Sequence, residues 1–206
     1  VMEVCVMSEQ KLPMLPPNAE LETKAVLKQL SKANRSLAEL KGYADTIPNK
    51  YILINAVMIN EAKDSSAIEN IITTHDDLFI AISDSSGATP AAKEVASYRT
   101  ALWHGYELVK DREMLTTNMI IEIQGIIEKN SAGIRKLPGT VLRNERTGET
   151  VYTPPAGETQ IRELLSNLEK YINEDYNDVD PLIKLAVIHY QFESIHPFYD
   201  GNGRTG

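Results

Sequence analysis

His196-Pro197-Phe198-Tyr199-Asp200-Gly201-Asn202-Gly203-Arg204-Thr205-Gly206 directly follows an apolar stretch, Asp180 to Ile195, that carries Leu182, Ile183, Leu185, Ala186, Val187, Ile188, Phe192 and Ile195. Apolar residues surround most of that stretch. It therefore predicts a central, buried helix that ends in a polar, glycine-rich turn. Gly201 and Gly203 permit positive φ and let a ligand approach main-chain N–H groups closely. A helix starting near Asn202 to Arg204 would leave its first N–H groups free as an anion site. Arg204 adds a forked cation that matches phosphate oxygens. Asp200 would repel a bare anion, and a Mg²⁺ between Asp200 and the phosphates removes that conflict. A neutral His196 at the edge of the turn can accept a proton from an incoming hydroxyl. Phe198 reads as the anchor that buries the loop. These residue types in one run point to a polyphosphate site with a general base beside it, and so to nucleotide chemistry.

Other motifs fit less well. A Walker A loop needs Lys then Ser or Thr after its last glycine, and neither is present. An EF-hand loop could begin like Asp200-Gly201-Asn202, but Gly203 falls early and Arg204 replaces a ligand. His196 and Asp200 could serve as two zinc ligands, with no third nearby. The plainest alternative is a glycine-rich helix connection with incidental polar residues.

Outward from this turn the periodicity is helical almost throughout. Pro13, Pro16 and Pro17 mark an extended lead-in. Val26, Leu30, Ala33, Leu37 and Leu40 predict a helix over about Ala19 to Leu40, stopping near Gly42. A second helix is predicted from Tyr51 through Leu53, Ile54, Val57, Met58 and Ala62 towards Ile72. The breaker-rich segment 83–90 reads as a loop and a boundary. Thr89 caps the next helix with Pro90 in its first turn, and Val95, Tyr98, Leu102 and Val109 form its inner face. Leu115, Met119, Ile120, Ile123, Ile126 and Ile127 make another helix, as do Ile161, Leu164, Leu165, Leu168, Tyr171 and Ile172. Between them the period breaks. Residues 140–143 and 150–153 flank Asn144 to Gly148 and read as a β-hairpin closed by Pro154-Pro155. An isolated hairpin is marginal, so it must pack on the helices. The predicted fold is all-α with one hairpin, in two units: an N-terminal helical unit over residues 1–85 and a main domain over 86–206.

The bulk numbers are those of an ordinary globular chain. It has 206 residues, 42% of them hydrophobic and 24% charged, with a formal net charge of −8. An acidic surface argues against a dedicated nucleic-acid binder but leaves room for a small basic pocket. Cys5 has no intrachain partner, which points to a reducing, cytoplasmic setting. No apolar run is long enough to span a bilayer, and the short apolar stretch Val1 to Met7 makes a poor signal peptide.

The run from His196 to Gly206 resembles the signature of Fic-domain proteins, His-x-Phe-x-Asp/Glu-Gly-Asn-Gly-Arg-x-x-Arg. Every defined position up to Gly206 matches, and the resemblance implies an Arg as the residue after it. The hairpin and Pro154-Pro155 look like the family's target-binding flap, with Val141 and Val151 as candidate flap positions. Leu15-Pro16-Pro17 and the helices that follow look like the N-terminal unit of many bacterial members. The fold implied is a Fic-type helical bundle with a hairpin flap, residues 86–206 being its catalytic part.

The activity implied is transfer of AMP from ATP to a Ser, Thr or Tyr hydroxyl of a protein target, which can be the protein itself. Carried over by position, His196 would be the general base and Asp200 would hold Mg²⁺. Asn202, Gly201 and Gly203 would cradle the α-phosphate, and Arg204 would bind the β-phosphate side. Ser65-Ser66-Ala67-Ile68-Glu69-Asn70 matches the family's inhibitory motif, Ser/Thr-x-x-x-Glu-Gly/Asn. Ser65 and Glu69 are one helical turn apart, and the resemblance gives Glu69 the role of blocking γ-phosphate placement. Taken alone, the segment reads as an exposed Glu beside a Ser at a helix end. Two rivals stay open: removal of AMP from a modified protein, with Glu69 positioning water, and a non-catalytic nucleotide-sensing or interaction module. His189 reads as a hydrogen-bonded core histidine, His75 and His104 as belonging to no catalytic constellation, and the Glu-rich helix faces as solvated. No membrane partner and no direct nucleic-acid contact are expected, and the oligomeric state is left open.

Overall fold

The computed structural model describes residues 12–68, 70–83, 85–144, 146–175 and 179–206. Among them the chain forms eight α-helices and a two-stranded antiparallel ribbon. The all-α expectation with a single hairpin holds.

Helix starts follow side-chain caps. Thr23, Thr89 and Thr116 each accept a hydrogen bond from the backbone N–H three residues on, opening α1 (Lys24–Ala44), α4 (Pro90–Arg112) and α5 (Thr117–Glu128). Such caps satisfy N–H groups that the helix itself cannot. The cap at Thr23 starts α1 five residues later than its apolar period suggests. Asp180 caps α7 (Pro181–Ile195) with Pro181 in the first turn, while α6 (Glu158–Asn173) starts from Gly157 at φ 90°.

Two helix ends differ from expectation. α2 (Lys50–Ile68) stops before Ile72 because Asn70 takes a left-handed conformation, φ 62°. There Ile71 N–H bonds to Ser66 O and Asn70 N–H to Ala67 O, the six-to-one and five-to-two pattern that closes a helix. The next helix, α3 (His75–Ser83), is absent from the sequence expectation. Its start is a reciprocal box in which Thr74 Oγ1 accepts from Asp77 N at 3.1 Å and donates to Asp77 Oδ2 at 2.7 Å. A short 3₁₀ turn over Ser85–Gly87 then leads into α4.

Two apolar clusters organise the molecule. One joins Ile161, Leu164, Leu165, Leu168 and Tyr171 of α6 to Phe192 and Ile195 of α7, with Ile120, Ile134 and Phe198. The other joins Ala62 of α2 and Leu78 of α3 to Val95, Tyr98 and Ala101 of α4 and Ile127 of α5. The helices before residue 85 therefore share a core with those after it. Val109 is exposed, so the inner face of α4 fades towards its C-terminal end.

α7 is not buried all round. Ile183, Phe192 and Ile195 are buried, but Leu185 is 59% exposed and Tyr190 is also exposed. On one side α1 leaves it open, since that helix buries none of its own residues. Its apolar stripe instead lines an open groove of about 750 Å³, with Val26, Leu30 and Ala33 facing Ile183, Ala186 and Val187 of α7.

The ribbon pairs Leu142 with Tyr152 and Arg143 with Thr150 across β1 (Leu142–Arg143) and β2 (Thr150–Tyr152), with an irregularity between the two pairs. Its turn is built by Asn144, whose Oδ1 accepts from Arg146 N and Thr147 N while Gly148 adopts φ 70°. The strands are shorter than the four residues the sequence suggests. The ribbon is tied down where Tyr152 Oη donates to Ser194 O of α7 at 2.9 Å.

This packing makes a contrast measurable by urea unfolding. Leu168→Ala, in the first cluster, should cost ~2–5 kcal/mol, whereas Leu185→Ala, on the open face of α7, should stay within ~0.5 kcal/mol of the parent.

Candidate functional site

The site is built where α7 ends. His196 closes the helix in a left-handed conformation, φ 49° and ψ 59°, with its N–H still bonded to Phe192 O. That reversal throws Pro197 and Phe198 inward, and both are fully buried. The Phe198 ring packs on Phe192 with centroids 6.3 Å apart. Phe198 is thus the anchor that its apolar ring among polar neighbours suggested.

The loop is closed by an amide. Asn202 Oδ1 accepts from Phe198 N at 2.9 Å, and Asn202 Nδ2 donates to Phe198 O at 3.0 Å. The side chain that the resemblance assigns to a phosphate is here spent on holding the turn, because a buried backbone pair needs partners. Gly201 stands at φ 72°, and a Cβ there would run into the Glu128 carboxylate. Both facts require glycine. Gly203 needs no such freedom: it is helical and exposed in α8 (Asn202–Thr205). At the start of α8, the N–H groups of Asn202, Gly203 and Arg204 have no helical acceptor. Asp200 is exposed, its Oδ1 accepting from Gly201 N at 2.8 Å.

Arg204 is buried between two acids. Its Nη1 meets Glu94 Oε1 of α4 at 2.9 Å, and its Nη2 meets Glu128 Oε1 of α5 at 2.7 Å. The expectation that the Glu residues of these helices are solvated fails for Glu128, 12% exposed, while Glu94 stays 40% exposed. The two carboxylates offset the cost of burying the Arg204 guanidinium. Gln124 of α5, also buried, donates to Asp200 O at 3.2 Å.

Beneath His196 lies Arg135, 1% exposed. Its Nε donates to His196 O at 2.7 Å, and its Nη2 donates to Ile195 O at 3.3 Å and to Pro155 O. Its own N–H bonds to Pro197 O at 2.9 Å. Arg135, Gln124, Glu94 and Glu128 were all missed by sequence reasoning. Their periodicity matches ordinary helix or loop residues, and only the tertiary packing brings them to the turn.

His196 titrates below the ordinary histidine value of 6.5, first because it is buried and second because the Arg135 guanidinium lies close. The Glu193 carbonyl and Asp200 pull the other way. Nδ1 is buried and has no hydrogen-bond partner. Nearby, Tyr199 Oη accepts from Lys136 N at 2.9 Å and Leu137 N at 3.3 Å, which lowers its pKa.

The remaining candidates fall around this centre. α2 packs against α8, and Ser65 lies in its last turns; Glu69 lies outside the described residues. Val141 is half-buried beside β1, and Val151 is 70% exposed on β2. His189 is exposed rather than core, with Nδ1 at 3.2 Å from Gly206 O. His104 Nε2 meets Glu122 Oε1 at 2.6 Å. Trp103 stacks between Tyr51 and Tyr106. Among the described residues, no helix is long and apolar enough to cross a membrane, and no three His, Cys, Asp or Glu side chains gather into a metal cluster.

A helical bundle that presents an imidazole, a glycine-led helix start and a ribbon at one end defines a class, and the comparisons name it. Residues 27–107 match the Fic/DOC family N-terminal model, and residues 114–206 match the Fic/DOC family model. The chain belongs to the Fic/DOC family. It is 26% identical over 186 residues to a protein adenylyltransferase Fic of Drosophila melanogaster, an alignment covering 70% of this chain and 37% of that protein. It is 38% identical over 95 residues to the protein of the same name in Drosophila willistoni, covering 44% of this chain and 19% of that one. The chain thus spans well under half the length of these relatives. Among solved structures, a Fic family protein from Desulfovibrio desulfuricans superposes with a TM-score of 0.66 at 20% identity, over 89% of this chain and 55% of that one. A Fic domain containing signaling protein from Bacteroides thetaiotaomicron gives 0.63 at 22%, over 86% and 68%. These likenesses establish the fold.

The burial of His196 has a sign that can be checked. Its folded pKa lies below the unfolded value of 6.5, so protonation is unfavourable in the folded state. Relative to His196→Gln, the parent should therefore keep its full stability above that pH and lose it as pH falls through the folded pKa. Urea unfolding at a series of pH values reads the difference, and NMR titration of the ring reads the pKa itself.

Proposed function

We propose that this protein transfers AMP from ATP to a hydroxyl-bearing side chain, Ser, Thr or Tyr, of a protein target. The observation that carries this reading is a low-pKa histidine at the end of a buried helix, followed within five residues by a left-handed glycine that opens a helix. The adenylyltransferase names of the relatives support it. In the reaction the target oxygen attacks the α-phosphorus of ATP, its proton passes to His196, and pyrophosphate leaves. A histidine that is neutral near pH 7 is ready to accept that proton. In the neutral ring one nitrogen carries no proton, and that nitrogen is the acceptor.

The other residues position. Asn202 keeps the loop closed, while the N–H groups of α8 and the backbone at Gly201 face the α-phosphate. Arg204 reaches the β-phosphate side by exchanging a carboxylate partner for a phosphate oxygen. Asp200 fits Mg²⁺ binding, because a single exposed carboxylate suits an ion that takes its remaining ligands from phosphates and water. Such an ion would neutralise phosphate charge beside a cleft already rich in carboxylates. The exposed edge of the ribbon aligns an extended target segment through main-chain hydrogen bonds, with Val141 and Val151 flanking it.

Regulation through Ser65 and Glu69 is part of the same proposal. Asn70 supports it: a left-handed residue is needed where α2 ends, which is a physical reason for Gly or Asn at that place in the motif. The contact of α2 with α8 brings that helix to the phosphate loop. A carboxylate placed against a γ-phosphate is a direct charge conflict.

Two substitutions in the full-length protein test these roles, with transfer of label from the α-phosphate of ATP as readout. His196→Ala should lower the rate by ~10²–10⁴-fold; undiminished transfer would remove the base from the mechanism. Glu69→Gly should raise it, and a rate equal to the parent's would end the inhibitory assignment.

A further inference from the structure

We infer that Arg135 is a positioning residue that fixes the orientation and protonation of His196 and ties it to the ribbon, an inference that rests on the role proposed for His196. The argument begins with burial. A guanidinium cannot lose its proton, so at 1% exposure it must find full compensation inside the protein. No carboxylate pairs with it among the described residues. Its partners are backbone carbonyls: Ile195 O, His196 O and Pro155 O. The first two belong to the C-terminal end of α7, where unsatisfied carbonyls carry the negative end of the helix dipole. The cation is therefore placed where the backbone is most negative.

The geometry couples three things. The bond from Nε to His196 O fixes the peptide plane that follows the imidazole. A left-handed histidine is strained and keeps that shape only where its surroundings impose it. The bond from Nη2 to Pro155 O carries the same constraint to the base of the ribbon, which Tyr152 also holds to Ser194. Finally, the positive charge disfavours protonation of His196. The groups that face the ring are Arg135 from the segment before the ribbon, the Glu193 carbonyl from α7 and Asp200 from the loop after it. Of these, Arg135 is the one that keeps the ring neutral by charge.

Two variants of the full-length protein separate charge from shape. R135K keeps the charge but cannot fork to several carbonyls. R135Q is neutral and can still donate to two acceptors. Circular dichroism and an NMR fingerprint establish that each is folded. R135K should lower kcat for label transfer by about 10- to 100-fold, the size expected for a slightly misplaced catalytic group, without changing KM for ATP. Its His196 signal should titrate as in the parent. R135Q should shift that titration, and the acid limb of the rate profile, to higher pH. A merely structural arginine would lower Tm in both variants and leave the titration and the profile of the folded fraction unchanged, which would overturn the inference. So would parental kcat in R135K. The imidazole titration needs no turnover, so it tests the inference even if the adenylyl-transfer reading fails.

Discussion

A helix that ends in the interior leaves carbonyl groups without partners, and here three in succession, at Ile195, His196 and Pro197, face inward. A single residue meets all three, two through the Arg135 side chain and one through its backbone N–H. Buried carbonyls left unpaired each cost on the order of 1–3 kcal/mol, so the abrupt end of α7 depends on this arginine. With the turn satisfied, Phe198 can enter the core and the histidine can remain half-buried beside it. Without Arg135, two of these carbonyls would lose their side-chain donor.

Three asparagines extend the same economy. Asn167 pairs with both the N–H and the C=O of Leu15, Asn173 does so with Leu115, and Asn202 does so with Phe198. A carboxamide offers a donor and an acceptor side by side, the same pair that a neighbouring strand would present. In a molecule with almost no sheet, these side chains hold three irregular segments against helices. Gln191 adds a further clasp on the lead-in through Pro13 O. The extended Pro-rich lead-in is thus part of the packed body although it forms no regular element.

What the sequence made legible was what depends on spacing. The stripe from Ile161 to Tyr171 marks a buried helix face, Thr89-Pro90 marks a start, and Asn144 to Gly148 marks a turn; each is present in the structure. The order of residues from His196 to Arg204 exposed the candidate site for the same reason, since its parts lie in one short run. Arg135, Gln124, Glu94 and Glu128 were illegible because they lie more than 60 positions away in sequence from their partners in that run. α3 was lost for a different reason. Its Thr74-Asp77 box is legible, but the apolar residues around it, Ile72, Phe79 and Ile80, are mostly exposed and give no clear period. The full burial expected of α7 is not met: Leu185 and Tyr190 are exposed, and an open groove separates the helix from α1.

Arg204 bears on which ions the loop can hold. Glu94 and Glu128 set two formal negative charges against its one, so the immediate neighbourhood of the guanidinium is electronegative overall. A small naked oxyanion gains little by entering, since every contact with the guanidinium must first loosen a carboxylate. A ligand that arrives with its own countercharge, or that can anchor through an uncharged moiety at a distance, avoids that penalty. A guanidinium held by two acids is thus a weaker lure for a bare anion than an unengaged one, a difference that vanishes for a ligand bringing its own cation.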